Sequence, residues 1–366
     1  MEILQLNHYL CGLLNEKIGI TMILKLPDGR TSSILIGENI ENLSDYLDSA
    51  KVFILTNPSI SDLYADVFPK NATVITMPAG EQHKTLDTVL RTVRQLIAGG
   101  ADRKSVIVGF GGGIVCDMTG FIASIYMRGV KFGFVPTTLM AQVDASVGGK
   151  NGVNCDGYKN MIGVFNQPDF VLCDPKTLKS LPARELKAGM AEVIKSGLIA
   201  DAALFSYVED NVDAILNCEK KRIDFIVENS LKIKALIVEA DEKESGERKK
   251  LNLGHTFGHA VEKHSKNVLH GEAVSIGLVI AAKISELLNL ITNEEFMRIK
   301  NILTKTGLPV STDITAANLL EAIGKDKKRE SGFVHFVLNK GIGNSEIREI
   351  ACENLAALLD KALKAL

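Results

Sequence analysis

The sequence predicts an α/β N-terminal domain with a mostly parallel sheet, residues 1–182, followed by an all-α C-terminal domain, residues 183–366. The first observation behind this prediction is that short apolar runs alternate with helical patterns before Pro182, as they do in βαβ units. The second is that almost every pattern after Pro182 has the period of a helix. A chain of 366 residues also exceeds one ordinary domain and suits two. Because ligands often bind in clefts between domains, we expect both domains to line one site.

The N-terminal domain begins with a hairpin pattern, because Asp28-Gly29 separates two apolar runs. Residues 1–20 have no clear pattern and are interpreted as an extra arm. Strands are predicted at residues 21–26, 31–36, 51–56, 72–77, 105–110 and 131–135. Helices are predicted at residues 85–98 and from the glycines after residue 110 to about residue 126. A glycine-rich loop is predicted over residues 151–163.

The C-terminal domain shows long helical patterns with little else between them. Helices are predicted at residues 184–199, 220–240, 254–266, 272–288, 293–306 and 316–323. Only residues 332–338 have the composition of a strand.

Composition excludes several classes of protein. Hydrophobic residues make up 46% of the chain and charged residues 23%, as in globular proteins. A net charge of −2 gives no electrostatic reason to expect a nucleic acid or a membrane surface as partner. The six cysteines are scattered without paired ligand spacing, which favours reduced thiols. With no basic segment at the N-terminus and no apolar run of spanning length, we expect a cytoplasmic protein.

The end of the strand at 105–110 is a candidate phosphate site, because Gly111-Gly112-Gly113 follows it and opens a helix. Without Cβ atoms the backbone can approach a pyrophosphate, and a helix N-terminus supplies free N–H groups. A tight packing turn would explain the same glycines. Thr137 and Thr138 follow the next strand and should reach the same sheet edge. Asn57 ends an earlier strand and would bind hydroxyl groups there, or serve as a turn residue before Pro58.

The segment from 142 to 150 places Asp144 and Lys150 around Gly148-Gly149. A lysine beside backbone freed by glycine is suited to binding an anion. The alternative is a solvated turn.

The stretch around His255 and His259 contains the strongest metal signal. These two histidines are four residues apart and share a helix face, and His264 and His270 follow closely in a chain with seven histidines. Flanking Gly254 and Gly258 disfavour a helix and indicate close packing. The alternative is a pair of surface histidines that pack or cap.

A second metal candidate lies in the helix predicted at 184–199. Glu192 and Lys195 share a face there, so a surface ion pair is one interpretation. The helix is largely apolar, however, and a buried carboxylate needs a cation. Glu192 with two histidines would form a zinc site with one coordination position open for substrate.

Eight segments taken together resemble the 3-dehydroquinate synthase family. They are GEQHK at 80–84, GGGIVCD at 111–117, PTTL at 136–139, SVGGK at 146–150, KNMIG at 159–163, AEVIK at 191–195, NLGHTFGHA at 252–260 and HGEAV at 270–274. Two departures are His83 and Asn151, where the family commonly has Tyr and Thr.

The resemblance implies a Rossmann-like N-terminal domain, a helical C-terminal domain, bound NAD⁺ and Zn²⁺ or Co²⁺, and a cytoplasmic homodimer. The implied activity is that of a carbon–oxygen lyase of the shikimate pathway. It converts 3-deoxy-D-arabino-heptulosonate 7-phosphate to 3-dehydroquinate and phosphate.

The resemblance also implies roles for individual residues. The metal ligands would be Glu192, His255 and His270, so His255 and His259 would not share one ion. The phosphate and proton-transfer group would comprise His259, Lys150, Asn160, Lys328 or its neighbour Lys327, and Arg128 from the other subunit. Lys234 and Arg248 would bind a substrate carboxylate, and Asp144, Lys195 and Asn252 its hydroxyl groups. In addition to Asn57, the NAD⁺ contacts would be Glu81, Lys84, Gly112, Gly113, Asp117, Thr137, Thr138, Lys159, Thr177, Leu181 and Glu185.

Three other functions are compatible with parts of this pattern. Metal-dependent polyol dehydrogenases share the architecture and both cofactors, but they release reduced cofactor. Sugar-phosphate cyclases that make aminocyclitol precursors use substrates without a carboxylate, and the presence of both Lys234 and Arg248 argues against them. A non-catalytic NAD-binding regulator would not need the full set of lysines and metal ligands.

Overall fold

A computed structural model of the protein describes residues 19–47, 51–265, 267–327 and 332–366. Its centre is a seven-stranded sheet in the order β1-β2-β9-β6-β5-β3-β4. The edge strand β1 is antiparallel to β2, and all other neighbours are parallel. The strands are β1 Ile20–Lys25, β2 Thr31–Ile36, β3 Val52–Thr56, β4 Thr73–Thr76, β5 Val106–Gly111, β6 Lys131–Pro136 and β9 Phe170–Cys173. The mostly parallel sheet is therefore confirmed, although β9 was not predicted.

Helices and short turns cover both faces of this sheet, which is why its central strands are apolar on both sides. The helices of this half are α1 Pro58–Tyr64, α2 Leu86–Ala98 and α3 Gly113–Ile125. Alternate residues of β3 enter different cores: Phe53 and Leu55 pack in the cluster that holds α3, and Ile54 packs in a smaller one on the other face. Alternation along the strand thus decides which layer each side chain joins.

The predicted glycine-rich loop at 151–163 is wrong, because this segment forms an antiparallel hairpin of β7 Lys150–Cys155 and β8 Tyr158–Phe165. Asp156 and Gly157 form the turn with φ of 49° and 81°, as a two-residue hairpin turn requires. Gly152 and Gly163 face each other across the strands, and a Cβ on Gly163 would lie 2.5 Å from the Asn151 carbonyl oxygen. The glycines therefore permit close strand pairing here.

The C-terminal half is helical, as predicted. Its helices are α4 Ala183–Ala200, α5 Ala202–Leu216, α6 Lys220–Ala240, α7 His255–His264, α8 His270–Leu287, α9 Asn293–Lys305, α10 Ala316–Lys327 and α11 Cys352–Lys364. It is not purely α, because β10 Phe333–Asn339 pairs with the unpredicted β11 Ser345–Ala351. Helices α5 and α11 were also not predicted. None of the described helices is long and apolar enough to cross a membrane.

Helices α4, α7 and α8 approach one another closely, because α8 has glycines where it contacts the other two. A Cβ on Gly271 of α8 would lie 1.9 Å from the Ala188 carbonyl oxygen of α4. A Cβ on Gly277 would lie 1.9 Å from the Gly254 carbonyl oxygen at the start of α7. Close packing, which the sequence indicated around Gly254 and Gly258, therefore brings α4, α7 and α8 together. Glu192, His255 and His270 stand on these three helices.

Candidate active site

The metal candidate is a cluster of one carboxylate and two imidazoles. Glu192 Oε1 lies 3.7 Å from His255 Nε2 and 3.9 Å from His270 Nε2. One ligand atom from each of the three residues lies within 4.8 Å of the other two, which is close enough for one ion to bind all three. The structure therefore brings together the three residues that the family resemblance implied as ligands.

Glu192 has the environment of a carboxylate that a cation completes. Its side chain is 1% exposed. Oε2 forms an ion pair with Lys195 Nζ, while Oε1 has no hydrogen-bond donor among the described residues. Because a buried anionic oxygen without a donor is costly, an ion between Oε1 and the two histidines would stabilise this arrangement.

His255 is prepared to act as a neutral ligand. Burial, together with the positive charge of Lys195 and the neighbouring histidines, holds the pKa of His255 well below its usual value. Its Nδ1 lies 3.2 Å from the Leu253 carbonyl oxygen. With the proton on Nδ1 to donate to that carbonyl, Nε2 carries the lone pair that faces Glu192.

His270 is oriented by a carboxylate instead of a carbonyl group. Its Nδ1 lies 3.1 Å from Glu262 Oε1, so its Nε2 also faces Glu192. Although burial opposes it, the hydrogen bond and charge of Glu262 raise the pKa of His270. Glu262 is a residue that the sequence analysis missed.

His259 stands beside this cluster but is not part of the set that contains Glu192. Its ring is perpendicular to that of His255, with centroids 5.5 Å apart. His259, Glu262 and His270 form a second group of ligand atoms within 4.8 Å of one another. The spacing of four residues thus places His255 and His259 side by side on one helix. It does not show which other residues would complete a metal site with either histidine.

An ion pair between the buried Lys234 and the partly exposed Asp144 lies near the metal candidate. Asp144 stands on a π-helical turn, Ala141–Ala145, and its Oδ1 accepts a hydrogen bond from Lys234 Nζ of α6 at 2.6 Å. Burial opposes ionisation, but Lys234 and Lys195 hold the pKa of Asp144 well below its usual value. Burial lowers the pKa of Lys234 to about 8, against the opposing charge of Asp144.

Arg248 is fully buried and packs against the same turn. It donates from Nη2 to the Gly148 carbonyl oxygen at 2.6 Å and from Nη1 to the Glu242 carbonyl oxygen. Its Nε has no acceptor among the described residues. Arg248 therefore supports the backbone around Gly148, and its Nε–H remains without an acceptor among the described residues.

Lys150 and Asn252 are joined by a residue that the sequence analysis missed. Glu244 Oε2 pairs with Lys150 Nζ, and its Oε1 accepts from Asn252 Nδ2 at 2.6 Å. Glu244 has a φ of 61°, which is uncommon for a residue other than glycine. No local sequence pattern marks Glu244, because its partners lie in β7 and in the turn before α7.

The candidate nucleotide-binding residues meet at the carboxyl edge of the sheet. Lys84 Nζ donates to Asp117 Oδ2 at 2.5 Å and to Asn160 Oδ1 at 2.6 Å. Burial raises the pKa of Asp117, although Lys84 opposes this. Glu81 Oε1 accepts from Asn154 Nδ2 at 2.8 Å, which attaches the hairpin to this edge. Asn160 therefore contacts Lys84, a candidate NAD⁺ residue.

Gly112 is the residue that precedes α3, with Gly113 as the first helical residue. A Cβ on Gly112 would lie 3.0 Å from Thr138 Cγ2, and one on Gly113 would lie 3.2 Å from the Ala145 Cβ. The Thr138 hydroxyl accepts from Ala141 N at 3.2 Å, while the Thr137 hydroxyl is buried without a partner among the described residues. Glycine thus keeps the N-terminus of α3 uncovered at the sheet edge.

Four further nucleotide candidates have structural contacts or burial of their own. Asn57 caps α1 by accepting from Ile60 N at 3.0 Å, which agrees with its interpretation as a turn residue. Thr177 accepts from Gln142 Nε2 at 3.0 Å and donates to the Asp174 carbonyl oxygen. Leu181 packs partly buried just before α4, and burial raises the pKa of Glu185 in the first turn of that helix.

Lys159 and Arg128 are two further candidates that the structure describes, and Lys328 is a third that it does not. Lys159 Nζ on β8 donates to Glu262 Oε1 at 2.8 Å. Arg128 is exposed in the turn after α3, with a φ of 71°. Lys328 lies outside the described residues, as does the side chain of Lys327.

Comparison with known proteins decides the family. The N-terminal family model of 3-dehydroquinate synthase matches residues 74–188, and the C-terminal model matches residues 189–329. The 3-dehydroquinate synthase of Nitrosospira multiformis is 42% identical to the chain over 339 residues, which are 89% of this chain and 93% of that protein. The chain belongs to the 3-dehydroquinate synthase family.

Solved structures agree with this assignment. The 2-epi-5-epi-valiolone synthase of Streptomyces hygroscopicus, solved with NAD⁺ and Zn²⁺, superposes with a TM-score of 0.84 at 26% identity, covering 92% of this chain and 97% of that one. A 2-deoxy-scyllo-inosose synthase, complexed with carbaglucose-6-phosphate, NAD⁺ and Co²⁺, has a TM-score of 0.84 at 26% identity, covering 93% and 100%. The predicted family and fold class are thus confirmed.

Proposed function

We propose that the chain is a 3-dehydroquinate synthase, a carbon–oxygen lyase of the shikimate pathway. It converts 3-deoxy-D-arabino-heptulosonate 7-phosphate to 3-dehydroquinate and phosphate. The observation that carries the proposal is the Glu192–His255–His270 cluster, beside the buried cations Lys195 and Lys234, in a chain 42% identical to a 3-dehydroquinate synthase over most of both lengths. The division into domains at residues 182 and 183 is part of the proposal, supported by the change from strands to helices there.

The cofactors we propose are NAD⁺ and one Zn²⁺ or Co²⁺. The metal fits because Glu192 Oε1 is buried without a donor and two imidazole Nε2 atoms face it. The dinucleotide fits because glycine leaves the N-terminus of α3 uncovered, and the unpartnered Thr137 hydroxyl belongs to a residue whose N–H donates to the Gly111 carbonyl oxygen. When bound, NAD⁺ supplies transient oxidation of a secondary alcohol, and the metal supplies Lewis-acid polarisation of that alcohol.

The dinucleotide would be held by the sheet edge and the hairpin. Glu81, Lys84 and Asp117 form the centre of this group, because Lys84 already joins β8 to α3. The complete set that we propose is Asn57, Glu81, Lys84, Gly112, Gly113, Asp117, Thr137, Thr138, Lys159, Thr177, Leu181 and Glu185.

The substrate carboxylate would be bound by Lys234 and Arg248. The Nε of Arg248 is a buried donor without an acceptor among the described residues. Lys234 pairs with Asp144 and lies close enough to Arg248 for the two positive charges to interact. Asp144, Lys195 and Asn252 would hold the hydroxyl groups. A substrate without a carboxylate would leave the Nε–H of Arg248 without an acceptor, which favours the heptulosonate over a sugar phosphate that lacks a carboxylate.

The phosphate would be bound by Lys150 and His259, with Asn160, Lys328 or Lys327, and Arg128 of a second subunit. Lys150 is paired with Glu244, so an entering phosphate would exchange one anionic partner for another. These groups would stabilise negative charge on the leaving phosphate, and His259 would transfer a proton.

A homodimer is part of the proposal, because Arg128 stands beside an exposed apolar surface. A groove of about 520 Å³ is lined by Val93, Ile97, Ala101, Ile125, Tyr126 and Met127. Ile97 is 62% exposed and Met127 is 43% exposed. If this surface forms the interface, Ile97→Asp should yield monomers in sedimentation experiments. We also propose a cytoplasmic location, supported by free thiols at all five described cysteines.

The experiment that tests the activity is incubation of the purified protein with the heptulosonate phosphate, NAD⁺ and Zn²⁺. We expect release of phosphate and formation of dehydroquinate, with no net accumulation of NADH. Steady production of NADH would instead indicate a polyol dehydrogenase. Binding of NAD⁺ without turnover of any sugar phosphate would indicate a regulator.

A further inference from the structure

Glu262 connects the candidate metal centre to the hairpin that faces the sheet edge. It stands on α7 seven residues after His255, so it shares a helix face with His255 and His259. Its side chain is 7% exposed. One oxygen, Oε1, lies 3.1 Å from His270 Nδ1 and accepts from Lys159 Nζ at 2.8 Å. A single buried carboxylate oxygen thus contacts residues from α8 and β8.

We propose that Glu262 is a positioning residue, which fixes the ring and tautomer of His270 for metal binding and couples that site to Lys159. The inference rests on the proposed function, because it requires a metal ion at Glu192, His255 and His270 and a dinucleotide near Lys159. Glu262 itself contacts neither ligand in this arrangement. It acts through the two side chains that it holds.

The ring of His270 is oriented by a side chain, that of Glu262, whereas the ring of His255 is oriented by the backbone. His270 is the first residue of α8, and Glu262 is the only hydrogen-bond partner of its ring within the described part of the chain. His255 is oriented by a backbone carbonyl, which no substitution removes. An imidazole that offers Nε2 to a metal needs its proton on Nδ1, and a carboxylate acceptor there fixes both tautomer and ring plane.

Lys159 links the contact between Glu262 and His270 to the proposed dinucleotide site. The Lys159 ammonium pairs with Glu262 Oε1, the same oxygen that contacts His270 Nδ1. A ligand that orders the hairpin around Lys159 therefore also favours the Glu262 position that holds His270. By thermodynamic reciprocity, metal binding should tighten NAD⁺ binding by the same factor.

A second metal ion is the main alternative role for Glu262. Its Oε2 is buried without a hydrogen-bond partner among the described residues, and His259 and His270 lie within ligand distance. Both candidate clusters need His270, however, and Glu262 Oε1 already has two donors. Two imidazole Nε2 atoms lie 3.7 and 3.9 Å from the unpartnered Glu192 Oε1, so a single ion is better placed in the cluster with Glu192.

The test compares Glu262→Ala and Glu262→Gln with Glu286→Gln, a matched control on α8 that replaces an ion-paired carboxylate. Co²⁺ affinity and stoichiometry are measured from the visible absorption of the bound ion. We expect one Co²⁺ per wild-type chain and about 10- to 100-fold weaker binding by Glu262→Ala, as for other partners of metal-binding histidines. Glu262→Gln should lose less affinity, because its amide oxygen can still accept from Nδ1. Thermal unfolding and circular dichroism of each variant establish that it is folded.

The coupling is measured by calorimetric titration of NAD⁺ with and without Co²⁺. We expect Co²⁺ to tighten NAD⁺ binding in the wild type and in Glu286→Gln, and this ratio to shrink in Glu262→Ala and in Lys159→Met. Unchanged Co²⁺ affinity in Glu262→Ala would overturn this inference and leave the proposed function standing. Two Co²⁺ per wild-type chain would do the same. Failure of the wild type to bind any Co²⁺ would overturn the proposed metal site and this inference with it.

Discussion

The candidate metal centre and the candidate nucleotide edge use buried charge in different ways. In the metal centre, a nearly inaccessible carboxylate has one oxygen paired with Lys195 and the other without a donor. At the sheet edge, Lys84 satisfies Asp117 and Asn160 at once. The first region leaves a buried carboxylate oxygen that a cation would complete, whereas in the second region the lysine and the carboxylate already pair beside a helix N-terminus. The difference indicates that metal binding contributes to stability in the first region, and that a nucleotide adds contacts without replacing a missing charge in the second.

The largest effect is expected from removing the carboxylate of the metal centre. Glu192→Ala should lose stoichiometric Zn²⁺ and reduce kcat/KM by about 10³-fold or more, since a bound metal supplies several kcal/mol to the reaction. Metal analysis of the purified variant measures the first effect, and Glu286→Ala serves as its control. Full metal content in Glu192→Ala would show that the region does not depend on this charge.

A large loss of stability is expected from the nucleotide edge. Lys84→Met leaves Asp117, whose side chain is 19% exposed, without its cation, which should lower the free energy of unfolding by about 2 kcal/mol. Urea denaturation monitors this change, with Lys283→Met, which removes an ion pair on α8, as the control. A free energy of unfolding equal to that of the wild type would show that Asp117 does not depend on Lys84.

A smaller effect is expected where the nucleotide edge uses backbone groups. In Gly112→Ala the new Cβ meets the Thr138 methyl group at 3.0 Å and covers the start of α3. Loss of one hydrogen bond to a charged ligand, about 1.5 kcal/mol, should weaken NAD⁺ binding about tenfold. Calorimetric titration measures the affinity. Unaltered NAD⁺ affinity would place the pyrophosphate away from this helix.

The smallest effect concerns Lys234, which pairs with Asp144. Burial lowers its pKa to about 8, so the ammonium that we propose to bind the substrate carboxylate is lost as pH rises above 8. Between pH 8 and about 10.4 the unfolded chain binds more protons than the folded one, so the contribution of Lys234 to stability rises with pH while substrate binding weakens. We expect KM to increase above pH 8 in the wild type. In Lys234→Arg, whose guanidinium stays charged, this rise should move to higher pH, and an unmoved rise would assign it to another group.

Local patterns in the sequence were sufficient for much of the fold. Six of the seven strands of the central sheet and most helices of the C-terminal half follow from apolar periodicity, which depends on neighbouring residues. The hairpin of β7 and β8 was taken for a loop, because its glycines suggested a flexible segment. Asp156-Gly157 was the turn signal that could have revealed it.

The candidate site also has one part that the sequence predicts and another part that it does not. The sequence by itself determined the glycines before α3, the shared face of His255 and His259, and, through family resemblance, the likeness of Glu192, His255 and His270 to a ligand set. Only the tertiary structure decided that Glu262 joins His270 to Lys159 and that Glu244 joins Lys150 to Asn252. The physical reason is that periodicity reports which face a residue occupies within its own element. The partner across that face depends on how closely the elements pack, which here is set by contacts such as Gly271 against Ala188 and Gly277 against Gly254.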